Sequence, residues 1–239
     1  MLTTRQLEPR LTRPTALASR ARTDAQKQAR RRLMLQAALA HFRKCGFEDF
    51  SMAELARQAG VAKGTLYLYF ETREEVLLTL YCDALDTWQA SLVRMVPPEC
   101  SDAAFADAFY AAAHADASFL PLMSRLDSVI EHNVSIDVLV DAKRTIRRHL
   151  ETLSRTLSTR LKLQPTETLD AIASLGSMLL GAAQIDAGPK HDDDALPQDV
   201  LHFIQMFSSQ DLFTTNARRI LAGIRANARN GEVTRGLRP

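Results

Sequence analysis

Turn-forming residues are scarce in this chain, which has nine glycines and nine prolines in 239 residues, and aromatic side chains make up only 6% of it. Ala, Leu and Arg, all good helix formers, recur in their place, so an all-α protein is expected. Cysteine is scarcer still. Cys45, Cys82 and Cys100 are odd in number and lack metal-like spacing, which fits scattered reduced thiols in a cytoplasmic protein better than a redox sensor. No run reaches the roughly 18 uninterrupted apolar residues of a membrane span, and no apolar block follows the Arg-rich start. No membrane partner is expected. Also missing are a nucleophile elbow, a phosphate-cradling glycine loop and a ligand-spaced cluster of His and carboxylates, to which His191 to Asp194 is only a weak approach. An enzyme, a metal and a cofactor are therefore not expected.

With 46% hydrophobic residues the chain can bury a substantial core in one or two domains. Its overall charge of +2 conceals an asymmetry: residues 1–73 carry 14 Lys or Arg against 6 Asp or Glu, a net +8, and residues 74–239 carry a net −6. A basic module is joined to an acidic one, as expected when only the first approaches phosphates.

Within the basic part, Ser51 to Arg73 reads SMAELARQAGVAKGTLYLYFETR. Leu55 and Ala56 form the inner face of a first helix, Ala59, Gly60 and Val61 make a turn, and Leu66, Tyr69 and Phe70 form the inner face of a second. That is the helix-turn-helix order. Ala56 sits where the helices cross, and Gly60 can take the positive φ of a sharp turn. Lys63, Gly64, Thr65, Tyr67 and Leu68 are left facing outward, able to reach a DNA major groove. A bare Ala-x-x-x-Gly occurs in many helical hairpins, but here several apolar and small positions agree at once, after a basic helix.

Together with the preceding RRLMLQAALAHFRKCGFEDFSM, the run AELARQAGVAKGTLYLYFETREEVLL resembles the DNA-binding domain of the tetracycline-repressor (TetR) family of bacterial transcription regulators over about residues 27–80. The resemblance implies that Lys63, Gly64, Thr65, Tyr67, Leu68 and Tyr69 lie in or beside a DNA-facing recognition helix. It also implies that Arg73 touches phosphate. Ala62 stands where Ser commonly caps that helix, and a missing cap costs about 1 kcal/mol of local stability; Arg73 stands where Lys is usual. From Asp24 a helix is expected, with Met34, Ala37, Ala38 and Phe42 inward and Lys27, Arg30 and Arg31 on a basic side suited to phosphate. Ser51 completes the expected DNA contacts. Residues 23–71 are thus the expected DNA-binding domain. Residues 1–22, with Arg5, Arg10, Arg13, Arg20 and Arg22, read as a flexible basic arm that either reaches DNA or is a passive tail.

Beyond Phe70, Thr72 can cap a long helix to about Val96, where Pro97 and Pro98 stop it. Ser101 opens a helix to about Ala117, Pro121 interrupts, a short helix runs from about Leu122 to His132, and Ser135 caps a long one to about Leu163. In that last helix Leu139, Ile146, Leu150, Leu153 and Leu157 form a core stripe. An aromatic at helical spacing belongs to a core more often than to a pocket. The resemblance, not the spacing, implies a ligand cavity lined by Trp88, Phe105, Phe109, Tyr110, Phe119, Met123 and His132 or His114, within a larger helical domain over residues 72–230, followed by a tail over 231–239.

Thr166 to Ile185 carries a bulky stripe of Ile172, Leu175 and Leu179 beside a small one of Ser174, Ser177 and Gly181 that admits a close neighbouring helix. Family members pair through their last two helices, so the resemblance implies a homodimer interface through that small stripe together with Ile220 and Ile224. Asp186 to Asp199 reads as a loop, and the last helical stretch, from about Val200, is broken or bent near Ser208 to Gln210. The expected function is a dimeric repressor of a palindromic operator, released by a small-molecule effector. A protein of the same fold acting in nucleoid organisation is the rival, marked by many dispersed DNA sites and no inducer.

Overall fold

The computed structural model describes residues 16–186, 196–206 and 208–236, and among these the regular structure is helical throughout. Helix α1 spans Ala16–Cys45 and begins earlier than its apolar stripe does. Residues 16–22, expected to be part of a flexible arm, are helical: ALASRAR contains neither Pro nor Gly, so propensity extends the helix where no core-facing pattern demands it. Residues 1–15 of that arm lie outside the described residues. Further along α1, Met34, Leu35, Ala38 and Phe42 turn inward against Phe50, Leu55, Leu66 and Phe70.

Two short helices complete this first unit, α2 over Met52–Gln58 and α3 over Lys63–Tyr67. Ser51 caps α2 by accepting the Glu54 N–H at 3.3 Å. Gly60 takes φ +65° between the helices, a left-handed conformation that favours glycine. Helix α3 starts at Ala62 without a side-chain cap, as its sequence implies.

Thr72 then opens α4, Arg73–Met95, accepting the Glu75 N–H at 3.1 Å, with Glu74 and Glu75 at the positive end of the helix dipole. Val76, Leu80, Leu85, Trp88 and Leu92 run down its buried side into the second unit. Helix α5, Asp102–His114, is capped by Ser101 and ends three residues short of Ala117. Helix α6 is Phe119–Arg125, so Pro121 lies inside its first turn rather than before it; a proline there lacks only an N–H that has no helical partner. A π-helical turn, Leu126–Ile130, and a 3-10 turn, Glu131–Asn133, occupy the rest of the segment expected to continue this helix.

Helix α7, Ile136–Leu161, is capped by Ser135 and stopped by Lys162 at φ +54°. Leu153 and Leu157 are buried, while Leu139, Ile146 and Leu150 are only half-buried. Helix α8, Pro165–Asp186, packs against α7 on one side and against the last helix, α10 (Ser209–Gly236), on another. Among the described residues α8 alone is long and apolar enough to cross a membrane by length and composition, yet its Ile172, Leu175 and Leu179 are buried in this core. A short α9, Gln198–Gln205, precedes α10, with the expected break between them. His191 to Asp194 lie outside the described residues.

Candidate DNA-binding and ligand sites

On α3 the inner and outer faces separate as the residues require. Leu66 is buried, whereas Lys63 and Gly64 are exposed, Tyr67 is 43% exposed and Leu68, the C-cap, 78%. Thr65 and Tyr69 are half-buried. Lys63 Nζ stands 5.9 Å from the Tyr67 ring centroid, so cation and aromatic ring present one outward surface. A Cβ on Gly64 would meet nothing within 4 Å. Packing therefore does not require glycine there.

Lys27 and Arg30 on α1 and Ser51 at the α2 cap are exposed as well. Two other expected phosphate contacts are occupied inside the protein. Arg31 is half-buried, its guanidinium 4.8 Å from the Phe70 ring centroid and donating to Thr79 Oγ1 at 3.3 Å. Arg73 donates to the Phe50 carbonyl at 3.2 Å and to Glu74 Oε1 at 3.1 Å, and lies 4.8 Å from the Phe47 ring centroid. Arg57 on α2 grips Glu54; hydrogen bonds from Arg57 and then Gln58 hold that carboxyl down at about 2.

Further contacts that no periodicity announces also fasten the first unit to the second. Arg43 pairs with Asp116 at 3.0 Å, Arg125 pairs with Glu48 at 3.0 Å, and Arg125 also lies 5.6 Å from the Phe47 ring centroid. Ser118 helps hold the Asp116 carboxylate below the usual carboxylate range, against the burial that opposes its charge.

A cavity of about 240 Å³ lies among α4, α6, α7 and α8. Of the expected lining residues Trp88, Phe109, Phe119 and Met123 border it. Phe105 does not, because it packs behind Phe109 at 5.8 Å within the aromatic core. His132 is exposed on the 3-10 turn. Tyr110 and His114 face a different groove of about 850 Å³ bordered by Phe47 and Arg125, where Tyr110 shares a hydrogen bond with Ser209 at 2.9 Å and stacks on His114 at 4.0 Å. Tyr81, Leu126, Asp127, Lys143 and Gly176 also border the 240 Å³ cavity, though the sequence does not mark them, since several lie on the irregular turn after α6 or at positions that look solvent-facing on a helical wheel.

Ser177 and Gly181 are exposed on α8, Ser174 is half-buried, and Ile220 and Ile224 on α10 are half-buried against the core. Ser177 also borders the cavity, so one side chain stands at both candidate sites.

A model described as bacterial regulatory proteins, tetR family, matches residues 34–80, and one described as tetracyclin repressor-like, C-terminal domain, matches residues 82–228. The chain belongs to the TetR family. It is thus a DNA-binding transcriptional regulator, in a family of transcription factors rather than enzymes. The fatty acid metabolism regulator protein of Bacillus subtilis (strain 168) is 36% identical over 56 residues, 23% of this TetR-family chain and 29% of that protein, so the match spans under a third of the relative. A possible TetR family transcriptional regulator from Streptomyces coelicolor A3(2) shares the fold with a TM-score of 0.55 at 17% identity, over 82% of this chain and 98% of that one. A TetR transcriptional regulator from Rhodococcus sp. RHA1 gives 0.54 at 18%, over 83% and 97%. The multidrug binding protein EbrR, solved in complex with imidazole, gives 0.53 at 16%, over 82% and 94%.

Proposed function

We propose that this TetR-family chain is a homodimeric repressor that reads a palindromic operator with Lys63, Gly64, Thr65, Tyr67 and Leu68, and releases it when a small molecule enters the cavity beside Trp88. Lys27, Arg30 and Ser51 supply backbone contacts that fix the register. A regulator of transcription works where the chromosome is, in the cytoplasm of a bacterium. Two copies pair through Ser177 and Gly181 of α8 with Ile220 and Ile224 of α10, which duplicates the recognition helix over half-sites about 34–36 Å apart.

One observation carries the link between ligand and DNA. Helix α6 contributes Phe119 and Met123 to the cavity wall and, at its last residue, Arg125 to Glu48 and Phe47 of the DNA-binding unit. A ligand that displaces α6 therefore displaces the unit holding α3, and α4, rooted beside that unit and lined along the cavity by Trp88, moves with it. The response is bounded by the ligand's differential affinity for the two arrangements, typically about 1–3 kcal/mol. That a multidrug binding protein of this fold has been solved in complex with imidazole supports a small-molecule site in a chain of this fold.

The test fills the cavity from α8. A Cβ on Gly176, which borders the cavity, would meet only Met123 Cε, at 3.9 Å, so Gly176→Leu can start toward the space without a clash at its Cβ. By operator anisotropy, wild-type protein should be released by members of a library of small apolar compounds, with affinity falling about 5- to 150-fold. Gly176→Leu should hold the operator normally and ignore them. Equal release of both proteins would remove the cavity from the mechanism.

A further inference from the structure

The groove of about 850 Å³ that Tyr110 and His114 face shares no lining residue with the cavity beside Trp88. Much of its wall is apolar, made by Phe47, Ala113, Ala117, Leu120, Pro121 and Ala183, and its volume lies within the range of small-molecule sites, roughly 300–1,000 Å³. Phe47 and Glu48 enter it from the DNA-binding unit, and its other lining residues come from the second unit.

Tyr110, His114, Asp186 and Ser209 form a run of hydrogen bonds at its edge, and their protons leave one oxygen without a donor. Ser209 Oγ lies 2.5 Å from Asp186 Oδ1 and donates its single proton there. Tyr110 then gives its own proton to Ser209 Oγ, at 2.9 Å. His114 Nδ1 faces the Tyr110 carbonyl at 2.9 Å, an acceptor only, so that nitrogen carries the proton of the neutral ring, and Nε2 turns a lone pair toward Asp186 Oδ2 at 3.4 Å. With the Tyr110 proton engaged, Oδ2 receives none from these neutral neighbours. The Asp186 side chain is 41% exposed and borders the groove, so a ligand there can reach it.

Charge points the same way. Of the three carboxylates in the wall, Glu48 pairs with Arg125 at 3.0 Å and Asp116 with Arg43 at 3.0 Å, whereas no Lys or Arg among the described residues pairs with Asp186. We infer that the groove is a second small-molecule site, which takes an organic cation whose ammonium donates to Asp186 Oδ2 and whose apolar body lies against the Leu120, Pro121 and Phe47 wall. The ammonium supplies the donor and the positive charge that this carboxylate lacks, and the apolar body removes the wall from water. Because Phe47 belongs to the DNA-binding unit, such a ligand touches both units at once. The site stands whether or not the cavity beside Trp88 takes an effector.

Three probes of similar shape separate charge from apolar contact: phenylbutylammonium, phenylbutanol and phenylbutyrate. By calorimetry on the full chain, the ammonium should bind about two- to fivefold tighter than the alcohol, the range of a partly exposed ion pair, and the carboxylate should bind most weakly. Asp186→Asn, which keeps an acceptor for Ser209, should bind the ammonium and the alcohol alike. His114→Lys places a permanent cation beside Oδ2 at the end of α5, where a helix favours positive charge, and should remove the preference too, even if Asp186→Asn fails to fold. Equal binding of ammonium and alcohol by the wild-type protein, or a preference that survives either substitution in a folded variant, would overturn the inference. So would a preference lost in Asp127→Asn, at the one carboxylate bordering the cavity beside Trp88, and kept in Asp186→Asn, because the cation would then sit in that cavity. Binding of none of the three would mean that the groove takes no such ligand.

Discussion

The Arg125 guanidinium lies 5.6 Å from the centroid of the Phe47 ring, and these two residues join the helix that walls the cavity to the turn that follows α1. Arg73 approaches the same ring at 4.8 Å, so Phe47 is held by one cation from its own unit's border and one from the second unit. Each contact is partly exposed. Such cation and ring pairs contribute about 0.5–1 kcal/mol, and an exposed ion pair such as Arg125 with Glu48 about 0–1 kcal/mol.

Arg125→Ala should therefore leave the melting temperature almost unchanged while loosening the junction. Amide hydrogen exchange should accelerate over residues 46–51 and stay as it was in α8. Unchanged exchange over that turn would mean that the other contacts, Arg43 with Asp116 and Arg73 with Phe47 and the Phe50 carbonyl, hold the junction without Arg125.

Tyr67 ends α3 and Phe70 follows it three residues later, outside the helix, one 43% exposed and the other buried beneath Arg31. Tyr67→Ala should weaken operator binding with little change in stability. Phe70→Ala should lose about 3–5 kcal/mol through a core cavity. Gel-shift and thermal unfolding measurements on the two variants separate the roles; wild-type operator affinity for Tyr67→Ala and Lys63→Ala alike would put the reading surface elsewhere.

The helix-turn-helix was legible because its information is local. Ala56, Gly60, Leu66 and Phe70 each do at short range what their chemistry permits, and Thr72, Ser101 and Ser135 mark helix starts that the structure reproduces. What stayed hidden is long-range. Nothing in the spacing of Arg31 or Arg73 discloses that Thr79 and the Phe50 carbonyl will take their donors, and residues 43 and 116 are joined only by the folded chain. Phe105 and Phe109 look alike on a helical wheel, yet one borders the cavity and the other packs behind it. The helical start of α1 was missed for the opposite reason, because propensity without an apolar stripe was read as disorder.

Gly181 tests the proposed dimer. A Cβ there would meet nothing within 4 Å of the same chain, so Gly181→Trp should cost the isolated subunit little. At a helix-to-helix interface the same change overpacks both copies, typically by 1–3 kcal/mol, roughly doubled by the symmetry. Sedimentation should show a monomer or weak dimer with helical circular dichroism intact. A fully dimeric variant at low concentration would place the interface away from α8.

Burial pushes the Cys82 thiol up to about 11, with Asp83 and Glu131 adding to the shift, and Cys45 and Cys100 are raised too, chiefly by burial. The folded state thus holds the Cys82 proton more tightly than the unfolded chain. Its contribution to stability is complete below pH 9 and is lost as pH rises from about 9 towards 11. Iodoacetamide should label Cys82 slowly at pH 8, at a rate climbing about tenfold per pH unit, whereas unfolded protein should level off near pH 9. Rapid labelling of the folded protein at neutral pH would instead favour a redox-sensing thiol.

Selection of DNA from a random pool by the purified protein tests the central claim most directly. The account predicts enrichment of an inverted repeat whose half-sites lie about one helical turn, or a multiple of it, apart, and loss of that enrichment in Tyr67→Ala. Recovery of unrepeated or unrelated sequences by the wild-type protein would contradict a dimeric operator reader built on α3.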